Sequence, residues 1–220
     1  MAQAKIFSFK EAVNTGWDIV KKNFIFFLLT MIILGLFSSL NNIIPGDLVK
    51  NYPSLGFGVF ALAIVGAFFS ILINLGIIKA IFMMLDGQKP EIKILFASSD
   101  KVINMFLASL LVGLIVIGGL ILFIVPGIIW GLKFSQYKYF IVEKNAGPVE
   151  ALKLSAQATA GAKWKLFLFG FVCAGINILG LLCLGVGLLF TVPLTMVAMT
   201  FIYRKLRDQM AAVPSPAPAA

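Results

Sequence analysis

FIVPGIIWGLKFSQYKYFIVEKNAGPVEALKLSAQATAGAKWKLFLF, residues 123–169, holds the elements whose reading decides the fold. A Pro-Gly pair, Pro126-Gly127, interrupts an apolar run. A polar-studded segment, 128–142, follows it and carries Lys133, Gln136, Tyr137, Lys138 and Tyr139. At 1.5 Å per residue such a helix reaches only about 22 Å, short for a bilayer crossing. Pro148 then suits the first turn of an amphipathic helix, with Glu150 at its positive end and Leu152, Ala156 and Thr159 on one face. A further apolar run begins at Leu166.

Outside this stretch the apolar runs are longer and plainer. The 220 residues are 60% hydrophobic, with a mean hydropathy of +1.02. Several runs reach the roughly 20 residues that cross a bilayer, and they are continuous rather than alternating. The reading is an all-α integral membrane protein, a six-span helical bundle forming one domain over 1–210. Its Pro/Ala-rich tail, 211–220, has the composition of a disordered segment. The expected spans are 24–44, 55–78, 102–123, 128–142, 166–184 and 188–203. Pro45-Gly46, Asp86-Gly87 and Gly185-Val186-Gly187 supply turns. The second span continues past Lys79 as a helical tail to Leu85. No cleavable signal peptide is expected, because the first 22 residues carry Glu11 and Asp18 and lack a short apolar core.

Residues 8–22 form an amphipathic helix. Ser8 and Glu11 fit a capping box, and Phe9, Val13, Trp17 and Val20 recur on one face. Such a helix is expected to lie in the membrane interface. Glu91 with Lys101, and Glu150 with Lys163, repeat the pattern of an early acid and a later lysine before a span, the second and third segments opening at Pro90 and Pro148. The plan is three hairpins, each preceded by a short interface helix. An internal repeat accounts for it, and so does the ordinary grammar of interface helices meeting spans.

Net charge is +9, from 18 Lys and Arg against 9 Asp and Glu. In a soluble chain that would point to nucleic acid, but here the cations flank apolar runs and no nucleic-acid partner is expected. With six spans, fifteen cations lie on the side of both termini, only Lys50 lies opposite, and Lys133 and Lys138 fall within the fourth helix. If 102–142 crossed once instead, the division would be eight against eight. The positive-inside rule therefore favours six spans with both termini in the cytoplasm.

Charge inside a membrane is costly and marks candidate function. Lys133 and Lys138, with Gln136 and Tyr137, form the candidate site, a lining for an anionic ligand or lipid headgroup. Snorkelling to the interface accounts for the lysines equally simply, especially Lys138, five residues from Glu143. Asn74 and Asn177 are expected to act as interhelical glue. Gly127 and Gly131 make a GxxxG, and Gly170, Gly175, Gly180 and Gly185 step by five, which serves close packing on several sides. Glu143 and Glu150 read as capping and charge balance. Cys173 and Cys183, ten residues apart, are too distant to bridge and read as packing residues. There is no His in the chain, and the nine acids fall outside the spans. No catalytic constellation, cofactor motif or metal-ligand spacing appears, so neither enzyme activity nor a cofactor is expected.

Pro126-Gly127, Tyr139-Phe140-Ile141-Val142, Glu150-Ala151-Leu152, Ser155, Gly161, Trp164 and Phe167, then Gly185-Val186-Gly187 and Pro193-Leu194, carry a resemblance. The segment 120–205 resembles a large group of prokaryotic multi-pass membrane proteins of unknown function, related to the membrane domain found beside some glycerophosphodiester phosphodiesterases. The N-terminal half matches more loosely. The resemblance implies a prokaryotic plasma-membrane location and transfers no active-site residue, since the phosphodiesterase domain and its metal-binding acids are absent. The expected role is a non-enzymatic accessory or scaffold protein for membrane lipids or a membrane-protein partner. The alternative is a small transporter or lipid-handling protein with a cavity near Lys133.

Overall fold

A computed structural model describes residues 7–40, 55–183 and 185–212, and it is helical, with no strand among those residues. The helices are α1 (Phe9–Lys22), α2 (Phe24–Leu40), α3 (Leu55–Leu85), α4 (Val102–Leu122), α5 (Ile124–Phe134), α6 (Tyr137–Lys144), α7 (Pro148–Ala158), α8 (Lys163–Leu182) and α9 (Leu188–Ala211). Four stretches, Gly56–Leu85, Ile92–Leu122, Lys163–Leu182 and Leu188–Ala211, are long and apolar enough to cross a membrane. The broken pair Phe9–Lys22 and Phe24–Leu36 is a fifth candidate. The expected end of the first span at 41–44, the Pro45-Gly46 turn, Lys50 and residues 213–220 of the tail lie outside the described residues.

The chain divides into two units, 1–22 with 104–220, and 23–103. In the 23–103 unit, α2 packs beside the 31-residue α3. The α3 helix runs through Lys79 to Leu85, as the sequence implies, and closes at Asp86-Gly87. There Gly87 takes φ 76°, and the N–H groups of Gly87 and Gln88 bond back to Met84 and Met83. Only glycine takes that backbone conformation without strain. The segment after Pro90 is not an α-helix. It forms two short 3₁₀ turns, Ile92–Phe96 and Ser99–Lys101, with Glu91 extended at the N-cap. Leu95, fully buried, lies so close to Gly76 that no Cβ would fit there. Asn74 bonds to the Ser70 carbonyl of its own helix (2.7 Å), so the expected interhelical bond is replaced by a local one.

In the other unit, α9 is the central helix. Leu194, Val197, Ala198, Ile202, Tyr203 and Leu206 are all buried, and α1, α7 and α8 pack around it. The Ser8 hydroxyl accepts the Glu11 N–H (3.3 Å), the first half of the expected capping box. The Glu11 carboxylate does not reach back. It pairs with Lys205 of α9 (3.1 Å). Farther along, Gly16 meets the Leu194 carbonyl. The two contacts show α1 running antiparallel along α9. The protein-facing side of α1 is Ala12, Gly16 and Val20, one step around from the Val13–Trp17 line, and Trp17 stays 41% exposed. The side of α1 that packs on α9 is thus its small-residue side, and those small residues let the two helices approach closely. The segments before the three expected hairpins thus have three structures: a helix packed on α9, a pair of 3₁₀ turns, and α7.

Gly119 and Gly127 bring α4 and α5 together at a sharp turn. A Cβ on Gly119 would lie 2.9 Å from the Gly127 Cα, and Gly131 faces Val116. The reversal is at Phe123, whose backbone is extended (φ −163°, ψ 149°). The expected break at Pro126-Gly127 is one turn late. Pro126 is accommodated in the first turn of α5, where an N–H has no intrahelical acceptor. At the far end, Gly185 (φ 76°) turns α8 into α9, and Gly180 packs on Thr191. Gly170 and Gly175 have no neighbour near a Cβ, so of this series only Gly180 packs closely. Asn177 donates to Thr195 of α9 (3.4 Å), the interhelical bond the sequence implies. Cys173 is buried and Cys183 exposed, and both are free thiols.

These glycines give a paired test. A Cβ on Gly16 would sit 2.8 Å from the Leu194 carbonyl oxygen, which is backbone and cannot rotate away. Gly16→Ala is expected to destabilise by about 1–3 kcal/mol through overpacking, exceeding the helix-propensity gain of about 1 kcal/mol. Gly170→Ala, with open space around it, is expected to be neutral or mildly stabilising. Thermal unfolding of the detergent-solubilised variants ranks the two.

Candidate functional site around the helix break at Ser135 and Gln136

The segment 128–142 is not one helix. It is the end of α5 and most of α6, separated at Ser135-Gln136. Around the break the backbone tightens to i→i−3 bonding: Ser135 N–H to Leu132 O (3.4 Å) and Tyr139 N–H to Gln136 O (3.2 Å). This removes the regular partners of the Lys133 carbonyl and the Gln136 N–H. Neither group is left bare. The Ser155 hydroxyl of α7 donates to Lys133 O (3.0 Å) and accepts from Gln136 N–H (3.1 Å). Thr159, one turn later, places its hydroxyl 3.0 Å from Lys133 O and 2.9 Å from Ser155 O. Ser155 and Thr159 are fully buried. A serine at this position can give and take one bond at once, so a single hydroxyl spans both groups released by the break.

Local signals place these groups. Asn145, in the left-handed region (φ 53°), ends α6, and Pro148 opens α7 at its first position, as the sequence implies. The buried face of α7 is Ala151, Leu152, Ser155 and Ala158. This face packs on α5, α6 and α9, which carries Ser155 to the break.

Of the four candidate site residues, Lys133 and Gln136 meet through their main chains on Ser155. Their side chains diverge. The Lys133 ammonium lies over the Phe134 ring (5.3 Å), and that of Lys138 over Tyr139 (5.1 Å). Neither has a carboxylate partner among the described residues. Gln136 is 1% exposed. Its Nε2 donates to Ser135 Oγ (2.9 Å), while its Oε1 has no partner among the described residues. Tyr137 opens α6 directly after the break, with its side chain partly buried. Pro126 and Gly127 lie outside this cluster, in the α4–α5 turn.

A second polar cluster fastens α6 to α9. Tyr203 stacks on Tyr139 (4.9 Å) and meets Phe140 edge-on (4.9 Å). Its hydroxyl donates to Glu143 Oε2 (2.6 Å), and Arg207 pairs with the other oxygen of Glu143 and with Asp208. Sequence reasoning assigned Glu143 to charge balance, which it serves, but it did not name Tyr203 or Arg207 as the partners. The available signal was a Tyr and an Arg four residues apart on one face of the last helix. Among the described residues no group of three or more His, Cys, Asp or Glu side chains is placed to hold a metal ion.

Ser155→Ala removes one hydroxyl, strands the buried Gln136 N–H and leaves the Lys133 carbonyl to Thr159 alone. It is expected to destabilise by about 1–3 kcal/mol. Hydrogen exchange is expected to quicken at the Gln136 and Tyr137 amides before it does so in α8, which separates loss of the staple from general loosening.

Residues 114–210 match the family model described as protein of unknown function DUF975, and a domain of that kind is found there. The match takes in the break, its staple and the Glu143–Tyr203–Arg207 cluster. Nothing in it links the chain to the membrane domain of the glycerophosphodiester phosphodiesterases. No curated protein and no solved structure matches the chain.

Proposed function

We propose that this is a non-enzymatic accessory or scaffold protein of a prokaryotic plasma membrane, organising lipid or a membrane partner. One observation carries the reading: buried and part-buried polar groups of the 114–210 domain hold its helices to one another. Ser155 and Thr159 bind the break in α5–α6, and Glu143 joins Tyr203 and Arg207. Groups used this way make a platform of fixed shape. The proposed topology has six spans as three hairpins, with α5 and α6 jointly forming the fourth and both termini in the cytoplasm. The division of cations, fifteen against one, supports it.

A second reading, a transporter or lipid-handling protein, is favoured by the unpartnered Gln136 Oε1 in a closed apolar setting. A buried acceptor without a donor is costly, and a ligand hydroxyl or ammonium would satisfy it. The proposed kinship with the phosphodiesterase-associated membrane domain rests on the resembling residues alone and bears on location, not activity.

Two measurements test the proposal. Impermeant maleimide should reach native Cys183 from outside and an introduced Asn145→Cys only from the cytoplasm. The reverse pattern, Asn145→Cys reached from outside and Cys183 only from the cytoplasm, would mean that α5–α6 does not cross. Lys133→Ala should leave a co-purifying protein partner in place at unchanged abundance. Loss of an enriched small molecule in that variant, with no protein partner in either sample, would select the lipid-handling reading.

A further inference from the structure

The corner between α7 and α8 has features that the internal packing does not use. Ala160 and Gly161 are exposed, and Gly161 takes φ 78°, which a side chain would strain. A Cβ on Gly161 would meet nothing within 4 Å. Lys153 on α7 and Lys163 and Lys165 in the first turn of α8 surround it in sequence, and none has a carboxylate partner among the described residues. Cations at the start of a helix add to the positive end of its dipole instead of balancing it, so the local charge is uncompensated. Directly below, an aromatic ladder runs down the outside of α8. Trp164 stacks on Phe167 (5.3 Å, 3° between planes), and Phe167 meets Phe171 edge-on (4.9 Å). Trp164 is 72% exposed and Phe171 64%. The ladder lies on a helix long and apolar enough to span a bilayer, so its surroundings are hydrocarbon and its Trp marks the headgroup level.

We propose that this corner holds an anionic phospholipid, its phosphate against Lys163 and Lys165 and one acyl chain along Trp164, Phe167 and Phe171. Charge complementarity selects the headgroup: Lys163 and Lys165 flank Trp164 at the start of the span, and neither has a carboxylate partner among the described residues. The exposed ladder selects the chain, because two stacked rings and a third edge-on present a continuous apolar strip about two turns long. The inference rests on the lipid-organising part of the proposed function and names the lipid class and the place.

The test uses the full chain in nanodiscs, with Trp17→Phe and Trp130→Phe so that Trp164 alone fluoresces. Brominated phosphatidylglycerol and brominated phosphatidylcholine are compared as quenchers at equal mole fraction. The anionic lipid is expected to quench preferentially, and Lys163→Gln and Lys165→Gln are each expected to lower that preference, by roughly fivefold if each lysine contributes as a juxtamembrane cation does. Equal quenching by the two lipids in the parent protein overturns the proposal, as does a preference untouched by both substitutions. A Trp164 shielded from both lipids means that protein covers the ladder, a second copy or another chain, and also overturns it. Because neither lysine side chain takes part in the Ser155 staple, retention of a co-purifying partner in these variants would leave the scaffold reading standing while the lipid site fails.

Discussion

A backbone carbonyl or N–H released inside apolar surroundings must find another partner or forfeit several kcal/mol, and this constraint governs the 114–210 domain. The α5–α6 break releases two such groups, the partly buried Lys133 O and the buried Gln136 N–H. Ser155 answers both, and Thr159 backs it. The break is thereby tied to α7. Its hydroxyls must be held at bonding distance, so the Ala151–Leu152–Ala158 face has to pack without gaps. That packing in turn fixes where α7 meets α9.

The central place of α9 follows from the same economy. Its buried residues are mostly small or branched, and its neighbours approach through small side chains: Gly16 of α1, and Gly180 of α8 at the hairpin. Between apolar helices in lipid, attraction comes from close packing and hydrogen bonds more than from the exclusion of water. Small residues therefore matter where they let backbones meet, and Gly170 and Gly175, with open space around them, do not serve this. The Glu143–Tyr203–Arg207 cluster adds a polar clasp at the α9 end, where the carboxylate accepts from two donors at once. Hydrogen bonds to a charged group contribute more than neutral ones.

The apolar exterior completes the picture. Large side chains such as Phe57, Phe106, Ile121 and Leu182 are more than half exposed. A chain in water would not leave so many large apolar side chains uncovered. Lysines and aromatic rings meet where these surfaces end, as in Lys21 over Trp17 and Lys205 over Phe201. These pairs have the character of membrane-interface anchors.

The sequence by itself determined the helical membrane class, the turns at Asp86-Gly87 and Gly185, the start of α7 at Pro148, and the polar character of residues 133–138. These are local matters, set by run length, by glycine's access to positive φ and by proline's missing donor. Only the tertiary structure decided where α5 and α6 divide, that the reversal falls at Phe123 and not at Pro126, and that α1 turns its glycine face to α9. It also decided that Ser155, not a lysine, is the group on which the break depends. Each of these turns on a partner distant in sequence: the hydroxyl that permits the break lies 19 residues from Gln136 and 22 from Lys133. No periodicity within a single helix encodes such a distance. A lone serine on an amphipathic face looks like any other until the helix it satisfies is folded against it.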